Sequence, residues 1–470
     1  MTHRMTLDPL SPNPVAPPQP PAVNPEPRRS VVPVIIAWLV ILAIVSLIVV
    51  AGLRPKSIES EEEGPSGTAS AELLIQARVA VGFSQLAHGK AGNSFASSLT
   101  RDGRHSPVDR MRIAIVAGEI GGNAAANREL DELEKSKLGL PKERKTQFES
   151  LRQIYTNGPH TLTDAARQEL LADHGWFGEL ALSHGLSDDD PARRAALAPA
   201  VRAAGASIAI LALAGLGLVI GLVILVIALV AAIDGKIPRG YRPPPVGRSG
   251  PFVEAFALYL LGMVVVPTLL YRVIGKHPSL AANFWIALAL PLPLIWPRLR
   301  GLTWSEIRAG FGWHTGRGVV REALCGVVGY IAGIPLLIVA LLVTSVLSKL
   351  AHTSASHPIA GEAANGRGLV HVLLLYGLAA VFAPLAEETM FRGALFHHCR
   401  RGLPWWLSAL IVALIFAAIH PQGWVGIPVL ATIAVVLAAL REWRGSLIAP
   451  IVCHACVNGV TVTLLVMMTG

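Results

Sequence analysis

Three ionisable residues stand close together in an otherwise apolar stretch of the chain, namely Glu387, Glu388 and Arg392. At the centre of a membrane helix each would cost about 2.5–3.5 kcal/mol on insertion scales, so the group needs a physical reason. Glu388 and Arg392 are spaced i, i+4 and share a helix face, which lets them neutralise one another. Glu387 points about 100° away from that face and has no partner in its own helix. A carboxylate in such a place is a candidate general base.

Two histidines occur in similar apolar settings further along the chain. His420 ends the run Phe416-Ala-Ala-Ile-His420, and His454 begins the run His454-Ala-Cys-Val-Asn458, whose two ends share a helix face. From the tight turn between their helices, Glu387 and His420 lie roughly 21 and 24 Å along the helix axes, so antiparallel neighbours would bring them to a common depth. His454 lies about 12 Å past its own turn, which is a poorer match.

Together, these buried polar groups suit the activation of water for hydrolysis. Glu387 could take a proton from water while a histidine and Asn458 stabilise the oxyanion. Alternatively, Glu387, His420 and His454 could hold a divalent metal such as zinc with one coordination position open. The same cluster could also relay protons or ions, or act only as a polar network that joins helices. The residues alone leave these alternatives open.

In order and spacing, these residues resemble the CPBP family of intramembrane peptidases, which includes CAAX proteases and bacteriocin-processing enzymes. That family's pattern is E-E-x-x-x-R, then F-x-x-x-H, then H-x-x-x-N or -D on successive helices. The matching motifs here are Glu387-Glu388-x-x-x-Arg392, Phe416-x-x-x-His420 and His454-x-x-x-Asn458. The resemblance covers roughly residues 325–467.

The resemblance implies an endopeptidase that acts within or beside the bilayer on a membrane-associated protein or peptide. Its substrate could be a prenylated CAAX-type protein or one that bears a leader peptide. By analogy Glu387 activates the water with the help of His420, while His454 and Asn458 support the oxyanion or a metal. Glu388, Arg392 and Phe416 would be supporting residues. Whether the enzyme is a glutamate peptidase or needs zinc stays open.

The composition independently places most of the chain in a membrane. Of 470 residues 52% are hydrophobic and only 15% are charged, and the mean hydropathy is +0.52. An average soluble domain has about 25% charged residues. Since lipid satisfies no backbone polar group, the expected fold class is all-α, a polytopic bundle of about nine helices with an inserted, mostly helical soluble domain. The net charge of +9 follows the loops between apolar runs, so it indicates topology and a lipid bilayer as partner, not nucleic acid.

Five segments are predicted along the chain. Residues 1–30 form a disordered Pro-rich tail, 31–53 a signal-anchor helix, 54–203 the soluble domain, 204–300 the N-terminal membrane helices and 301–470 the peptidase-like core. The expected membrane helices after the anchor are 205–233, 252–274, 280–296, 323–347, 368–398, 404–420, 424–440 and 446–467. The sequence predicts no oligomeric state.

Basic residues concentrate in alternate joints between these helices, at 234–251, 297–322, 399–403 and 441–445. By the positive-inside rule these joints are cytoplasmic, and so is the N-terminus of a multi-pass protein of the cell membrane. Residues 54–203 are then extracytoplasmic. Within the joint 298–322 an interfacial helix and an ordered loop are both compatible with the pattern. His397 and His398, at the end of their helix, are expected at the membrane interface.

Overall fold

The computed structural model describes residues 31–53, 71–86, 106–136, 144–244, 248–274, 292–351, 353, 359, 362–363 and 368–469. Every regular element in these ranges is helical, and seven of the helices are long and apolar enough to cross a membrane. The expected fold class, an all-α polytopic membrane bundle, is therefore confirmed, and the protein is a multi-pass membrane protein. The predicted tail, residues 1–30, lies outside the described residues.

The principal helices are numbered here in chain order. They are α1 (Val32–Leu53), α2 (Ala71–Leu86), α3 (Pro107–Gly121), α4 (Asn123–Lys135), α5 (Lys145–Asn157), α6 (Asp164–His174), α7 (Trp176–Leu182), α8 (Pro191–Ile233), α9 (Gly250–Ile274), α10 (Trp304–Phe311), α11 (Val319–Ala351), α12 (Leu369–Cys399), α13 (Trp405–Ile419), α14 (Ile427–Arg444) and α15 (Ile448–Thr469). Short helical turns also occur at Pro159–Thr161, Leu292–Ile295, Trp296–Leu299 and Trp424–Gly426.

Helices α2 to α7 form a helical domain with a hydrophobic core of its own. The start and end of α6 follow from local sequence. The Thr163 hydroxyl accepts a hydrogen bond from the Ala166 amide, and Gly175 ends the helix with φ of 53°. The domain is joined to α8 by the Trp176 indole, which donates to the Ala196 carbonyl at 2.8 Å. The soluble region is therefore packed against the first membrane helix that follows it.

Helix α8 belongs to both the soluble domain and the membrane part. It begins at Pro191, earlier than the predicted residue 205, and the predicted boundary at residues 203–204 falls inside it. Its start is set by Asp190, whose carboxylate accepts from the Ala192 amide at 2.8 Å, and by proline at the first helical position. At 43 residues it is about 65 Å long, enough to cross the bilayer and extend well into the domain.

Not every predicted membrane helix has the expected length. Helix α13 has only 15 residues and spans about 22 Å, less than the roughly 30 Å of a hydrocarbon core. Most of the predicted helix 280–296 lies outside the described residues, and the part described, from residue 292, consists of short turns. The remaining predicted spans correspond to long apolar helices, with ends shifted by a few residues.

Helix α11 packs against α8, α14 and α15. The contacts are close because glycines of one helix face the backbone of the neighbouring helix. A Cβ on Gly221 of α8 would overlap the Ile331 carbonyl, and one on Gly326 of α11 would meet the Ala449 carbonyl at 2.5 Å. Small residues of this kind let membrane helices approach closely, so α8 is tied through α11 to α15.

The joints rich in basic residues meet at one end of the bundle, in a layer of buried ion pairs. Arg444 pairs with Glu322 at 2.7 Å, and Arg400 pairs with Glu442 at 2.9 Å. The Tyr241 amide donates to the Glu442 carbonyl, which fixes the joint between α8 and α9 against the end of α14. These joints therefore lie on one side, as the charge pattern predicts.

The soluble domain lies at the opposite end. Arg78 of α2 donates to the Met468 carbonyl at 3.1 Å, in the last turn of α15. The ion-pair layer lies at the beginning of the same helix, where the Leu447 amide donates to Gly312. The basic joints and the soluble domain are thus separated by the length of α15.

Within the joint 298–322 the structure has a two-turn helix, α10, followed by a loop. Its start is a capping box, in which Thr303 and Glu306 satisfy each other's backbone amides. Ile307 and Phe311 are buried, whereas Trp304 is exposed. The helical spacing of these apolar residues was thus a correct guide to a short amphipathic helix.

His397 and His398 lie at the end of α12, and their expected interfacial position stays a prediction. Both are buried, because α1 and α9 pack over the end of α12. The Tyr241 hydroxyl lies 2.7 Å from Nδ1 of His397. His398 is bonded through Nδ1 to the Ser249 carbonyl at 3.1 Å and accepts from the Trp38 indole at 3.3 Å. The two rings therefore join α12 to α1 and to the segment between α8 and α9.

Candidate active site

The first motif lies on α12, where the helix departs twice from α geometry. Residues Gly377–Phe382 and Thr389–Leu395 are π-helical, and a single α-helical segment, Ala383–Glu388, lies between them. Glu387 and Glu388 end that segment. Wide turns of this kind often occur at functional sites, because they rotate side chains away from the regular helical register and free backbone carbonyls.

The second motif ends the short helix α13. His420 has an extended backbone, with ψ of 141°, because the following Pro421 disfavours helical geometry at the residue before it. Since α13 is shorter than the bilayer is thick, His420 and the turn after it lie within the thickness of the membrane. Irregular backbone at that depth is tolerated where protein buries it or where it lines a polar cavity.

Three side chains from three helices converge at this depth. Oε2 of Glu387 lies 3.8 Å from Nε2 of His420 and 3.9 Å from Nε2 of His454. Both separations are longer than a direct hydrogen bond. Among the described residues Glu387 Oε2 is buried without a hydrogen-bond partner. The Glu387 carboxylate is therefore held next to two imidazoles without a direct hydrogen bond to either.

Glu388 connects the first motif to the third. Its Oε1 accepts a hydrogen bond from Arg392 at 2.8 Å and another from Nδ1 of His454 at 2.8 Å. The side chains of Glu388 and Arg392 are fully buried. Because a carboxylate only accepts, the proton of a neutral His454 must be on Nδ1, which leaves the Nε2 lone pair facing Glu387. The pair predicted from i, i+4 spacing is present, and it also orients a histidine from another helix.

His420 is oriented in the same sense by a different partner. Its Nδ1 is hydrogen-bonded to the Phe416 carbonyl one turn earlier, so Nε2 again faces Glu387. The Phe416 ring lies against the His420 ring, with centroids 4.2 Å apart. The Arg392 guanidinium lies 5.0 Å from the centroid of the same Phe416 ring. Phe416 thus contacts two of the predicted site residues.

The arrangement does not fit a tetrahedral zinc site. Two ligands 2.0–2.1 Å from zinc at a tetrahedral angle lie about 3.4 Å apart, and both measured separations from Glu387 Oε2 are longer. Among the described residues no group of three His, Cys, Asp or Glu side chains has the geometry to hold a metal ion. The possible zinc ligands Glu387, His420 and His454 are thus gathered, but Glu387 Oε2 lies farther from both imidazoles than two ligands of one zinc ion would.

Asn458 is placed differently from the other motif residues. Its side-chain amide donates to the Ala379 carbonyl at 2.8 Å, in the first π-helical segment of α12. That bond joins α15 to α12 about one turn away from His454. Among the described residues no hydrogen bond joins Asn458 to Glu387.

Sequence reasoning missed two links that assemble the cluster. The bond from Glu388 to His454 and the bond from Asn458 to Ala379 both connect α12 to α15. An apolar helix gives no local sign of which carbonyl or carboxylate a distant side chain will meet. The π-helical segments, which expose the Ala379 carbonyl, also have no signal in the spacing of the apolar residues.

Fold and site define a class of protein, a polytopic helical membrane protein with a carboxylate and two imidazoles converging in its interior. Residues 368–460 match the model of the family described as type II CAAX prenyl endopeptidase Rce1-like. The expected resemblance to the CPBP intramembrane peptidases is therefore confirmed for these residues, which are similar to that family. The match contains all three motifs.

One curated relative matches part of the chain. An uncharacterised 24.3 kDa protein from Escherichia coli is 32% identical over 92 residues, which are 19% of this chain and 42% of the relative. The chain thus spans less than half the length of the curated relative that it matches. No solved structure matches the chain significantly.

Proposed function

We propose that the protein is an intramembrane endopeptidase that hydrolyses a peptide bond of a membrane-associated protein with a water activated by Glu387. The observation that supports this most directly is the convergence of the Glu387 carboxylate and two imidazole Nε2 atoms within 3.9 Å. The Glu387 side chain is 21% exposed, so a substrate can reach it. The matched family of prenyl endopeptidases supports the same reaction class.

Each step then has a group in place. Glu387 takes a proton from water as the water oxygen bonds to the scissile carbonyl carbon, and the carbonyl electron pair moves onto its oxygen. His420 accepts the second water hydrogen and orients the attack. His454, protonated and held by Glu388, donates from Nε2 to the oxyanion. Glu387 then returns its proton to the leaving nitrogen as the C–N bond breaks, giving a carboxylic acid and an amine.

The substrate class follows from the position of the site. Since Glu387 lies at membrane depth, the scissile bond must enter the bilayer, and a lipid-anchored or leader-bearing chain meets that requirement. A prenylated C-terminal CAAX segment is the form suggested by the matched family's description. Because the donor spacing does not fit zinc, the reaction as proposed uses no metal.

Cleavage of farnesylated and unmodified fluorogenic peptides by the detergent-purified protein tests the proposal. Glu387→Gln and His420→Asn are expected to lower kcat by about 10²–10⁴-fold. His371→Gln is the matched control, because His371 lies on α12 but is bonded to the Glu362 carbonyl far from Glu387. Equal turnover by wild type and Glu387→Gln would refute the catalytic assignment. Loss of activity in a chelator, restored by zinc, would refute the metal-free mechanism.

We also propose that the N-terminus is cytoplasmic and the soluble domain extracytoplasmic, which the positive charge of the joints at the opposite end supports. Ser187 lies on the surface of the domain. With the native cysteines replaced, a cysteine at position 187 should react with an impermeant maleimide added to intact cells. Reaction only after lysis would reverse the orientation.

A further inference from the structure

Helices α9 and α12 pack antiparallel, and their aromatic contacts define the register. The rings of Phe252 and His397 lie 4.8 Å apart, and the rings of Phe256 and Phe391 lie 5.0 Å apart. As residue numbers increase along α9, the residue numbers of its contacts on α12 therefore decrease. One further turn of α9 reaches Tyr259, and one further turn of α12 reaches Glu387. The register therefore places Tyr259 at the level of the catalytic carboxylate.

Two observations agree with that placement. Tyr259 is 2% exposed and belongs to the core around the α12 π-helical segment Thr389–Leu395. Its ring lies 6.3 Å from the ring of Phe256, which in turn contacts Phe391, one turn after Glu387 on α12. Among the described residues none hydrogen-bonds the Tyr259 hydroxyl. A buried phenol normally finds a hydrogen-bond partner, so this hydroxyl is a donor available to a bound substrate.

We propose that Tyr259 is a further catalytic residue, whose hydroxyl donates a hydrogen bond to the oxyanion formed during peptide hydrolysis. This inference rests on the proposed function. The phenol keeps its proton throughout, so the reaction stoichiometry is unchanged. Tyr259 supplies the second donor beside His454, because the amide of Asn458 is bonded to the Ala379 carbonyl.

Helix α9 lies outside residues 368–460, the part of the chain that matches the family model. In the sequence Tyr259 stands in an apolar run and is typical of a core residue. Only the register between α9 and α12 connects it to the site. The donor is thus supplied by the N-terminal membrane helices, for which the peptidase motifs alone require no role.

Tyr259→Phe removes the hydroxyl and keeps the buried ring. Its kcat on the fluorogenic peptide should fall about 10²-fold with little change in KM, because an oxyanion donor acts in the transition state. A phosphinate analogue of the scissile bond should lose affinity by a similar factor, whereas product affinity should not change. Tyr330→Phe is the matched control, since Tyr330 packs on α14 in a core cluster that includes neither Glu387 nor Tyr259, and it should retain full activity.

The outcomes separate this inference from the proposed function. If the wild type cleaves the peptide and Tyr259→Phe cleaves it equally fast, only the role of Tyr259 is overturned. If the wild type is inactive, both the proposed function and the role of Tyr259 are overturned. A structure of the wild-type protein with the phosphinate bound does not depend on how the variant folds. The Tyr259 hydroxyl within about 3.2 Å of a phosphinyl oxygen would support the inference, and a distance beyond hydrogen-bond range would refute it.

Discussion

Replacing Glu388 by glutamine tests whether one buried charge supports both the fold and the geometry of the site. Glu388 accepts hydrogen bonds from Arg392 and His454, each at 2.8 Å, and its side chain is inaccessible to solvent. Glutamine keeps the shape and one acceptor oxygen but removes the negative charge. Arg392, which is also fully buried, then loses its ion-pair partner.

The expected loss of stability is about 3–5 kcal/mol. Two charge-assisted hydrogen bonds, worth roughly 1.5–3 kcal/mol each, become neutral-acceptor bonds worth roughly 0.5–1.5, which accounts for about 2–3 kcal/mol. The remainder is the cost of leaving the Arg392 guanidinium buried and uncompensated, and breaking one side of a buried pair typically costs about 3–5 kcal/mol in all. Arg392→Met in the Glu388→Gln background removes that charge, so the double variant should be more stable than the sum of the two single losses predicts.

Unfolding free energies of the four proteins in mixed detergent micelles give the double-mutant cycle, and peptide cleavage gives the activity of the folded fraction. Glu322→Gln is the matched control. It breaks an equally buried pair, with Arg444 at 2.7 Å, but that pair contacts no histidine of the site. Both glutamine variants should lose stability, and only Glu388→Gln should also lose kcat. A loss below about 1 kcal/mol for Glu388→Gln, or strictly additive losses, would refute the reasoning.

Two further predictions concern other parts of the molecule. Gly221→Leu should destabilise the contact of α8 with α11 by about 1–3 kcal/mol in the same unfolding assay, whereas Gly215→Leu, with open space around it, should not. Burial, with Arg112 and Arg144 nearby, lowers the pKa of His174 to about 3. Since the unfolded chain protonates first, near pH 6.5, the soluble domain should lose about 1.4 kcal/mol per pH unit below that pH, down to about pH 3. Hydrogen exchange of α6, corrected for intrinsic rates, should therefore accelerate from pH 7 to pH 5 in the wild type and much less in His174→Leu.

Features that depend on neighbouring residues in the chain could be predicted from the sequence. The pair of Glu388 and Arg392 follows from i, i+4 spacing, and the start of α6 follows from Thr163 as a cap. The same kind of signal, Asp190 before a proline, was present at the start of α8 but was outweighed by the polar composition of that stretch. Local signals thus locate helix ends better than hydropathy does when one helix crosses from water into lipid.

Features that depend on the relative depth of helices could not be predicted. The distance from its turn placed His454 about 12 Å deep, against more than 20 Å for Glu387 and His420. In the structure the turn before α15 is tucked into the bundle, because Leu447 and Ser446 are bonded to backbone of the loop after α10. The π-helical segments of α12 also rise less per residue than an α-helix. Both effects bring His454 to the depth of Glu387.

The membrane location of the site also explains why its histidines have fixed partners. In lipid, a polar atom without a partner within the protein costs several kcal/mol, because no bulk water replaces the lost hydrogen bond. The cluster satisfies Nδ1 of both imidazoles, through Glu388 and the Phe416 carbonyl, and leaves Nε2 of each ring facing Oε2 of Glu387. Oε2 of Glu387 and Nε2 of His420 both need proton donors, and a water molecule with two O–H groups beside a substrate meets that need. The same burial that holds the side chains in place therefore favours binding of the reactant that hydrolysis consumes.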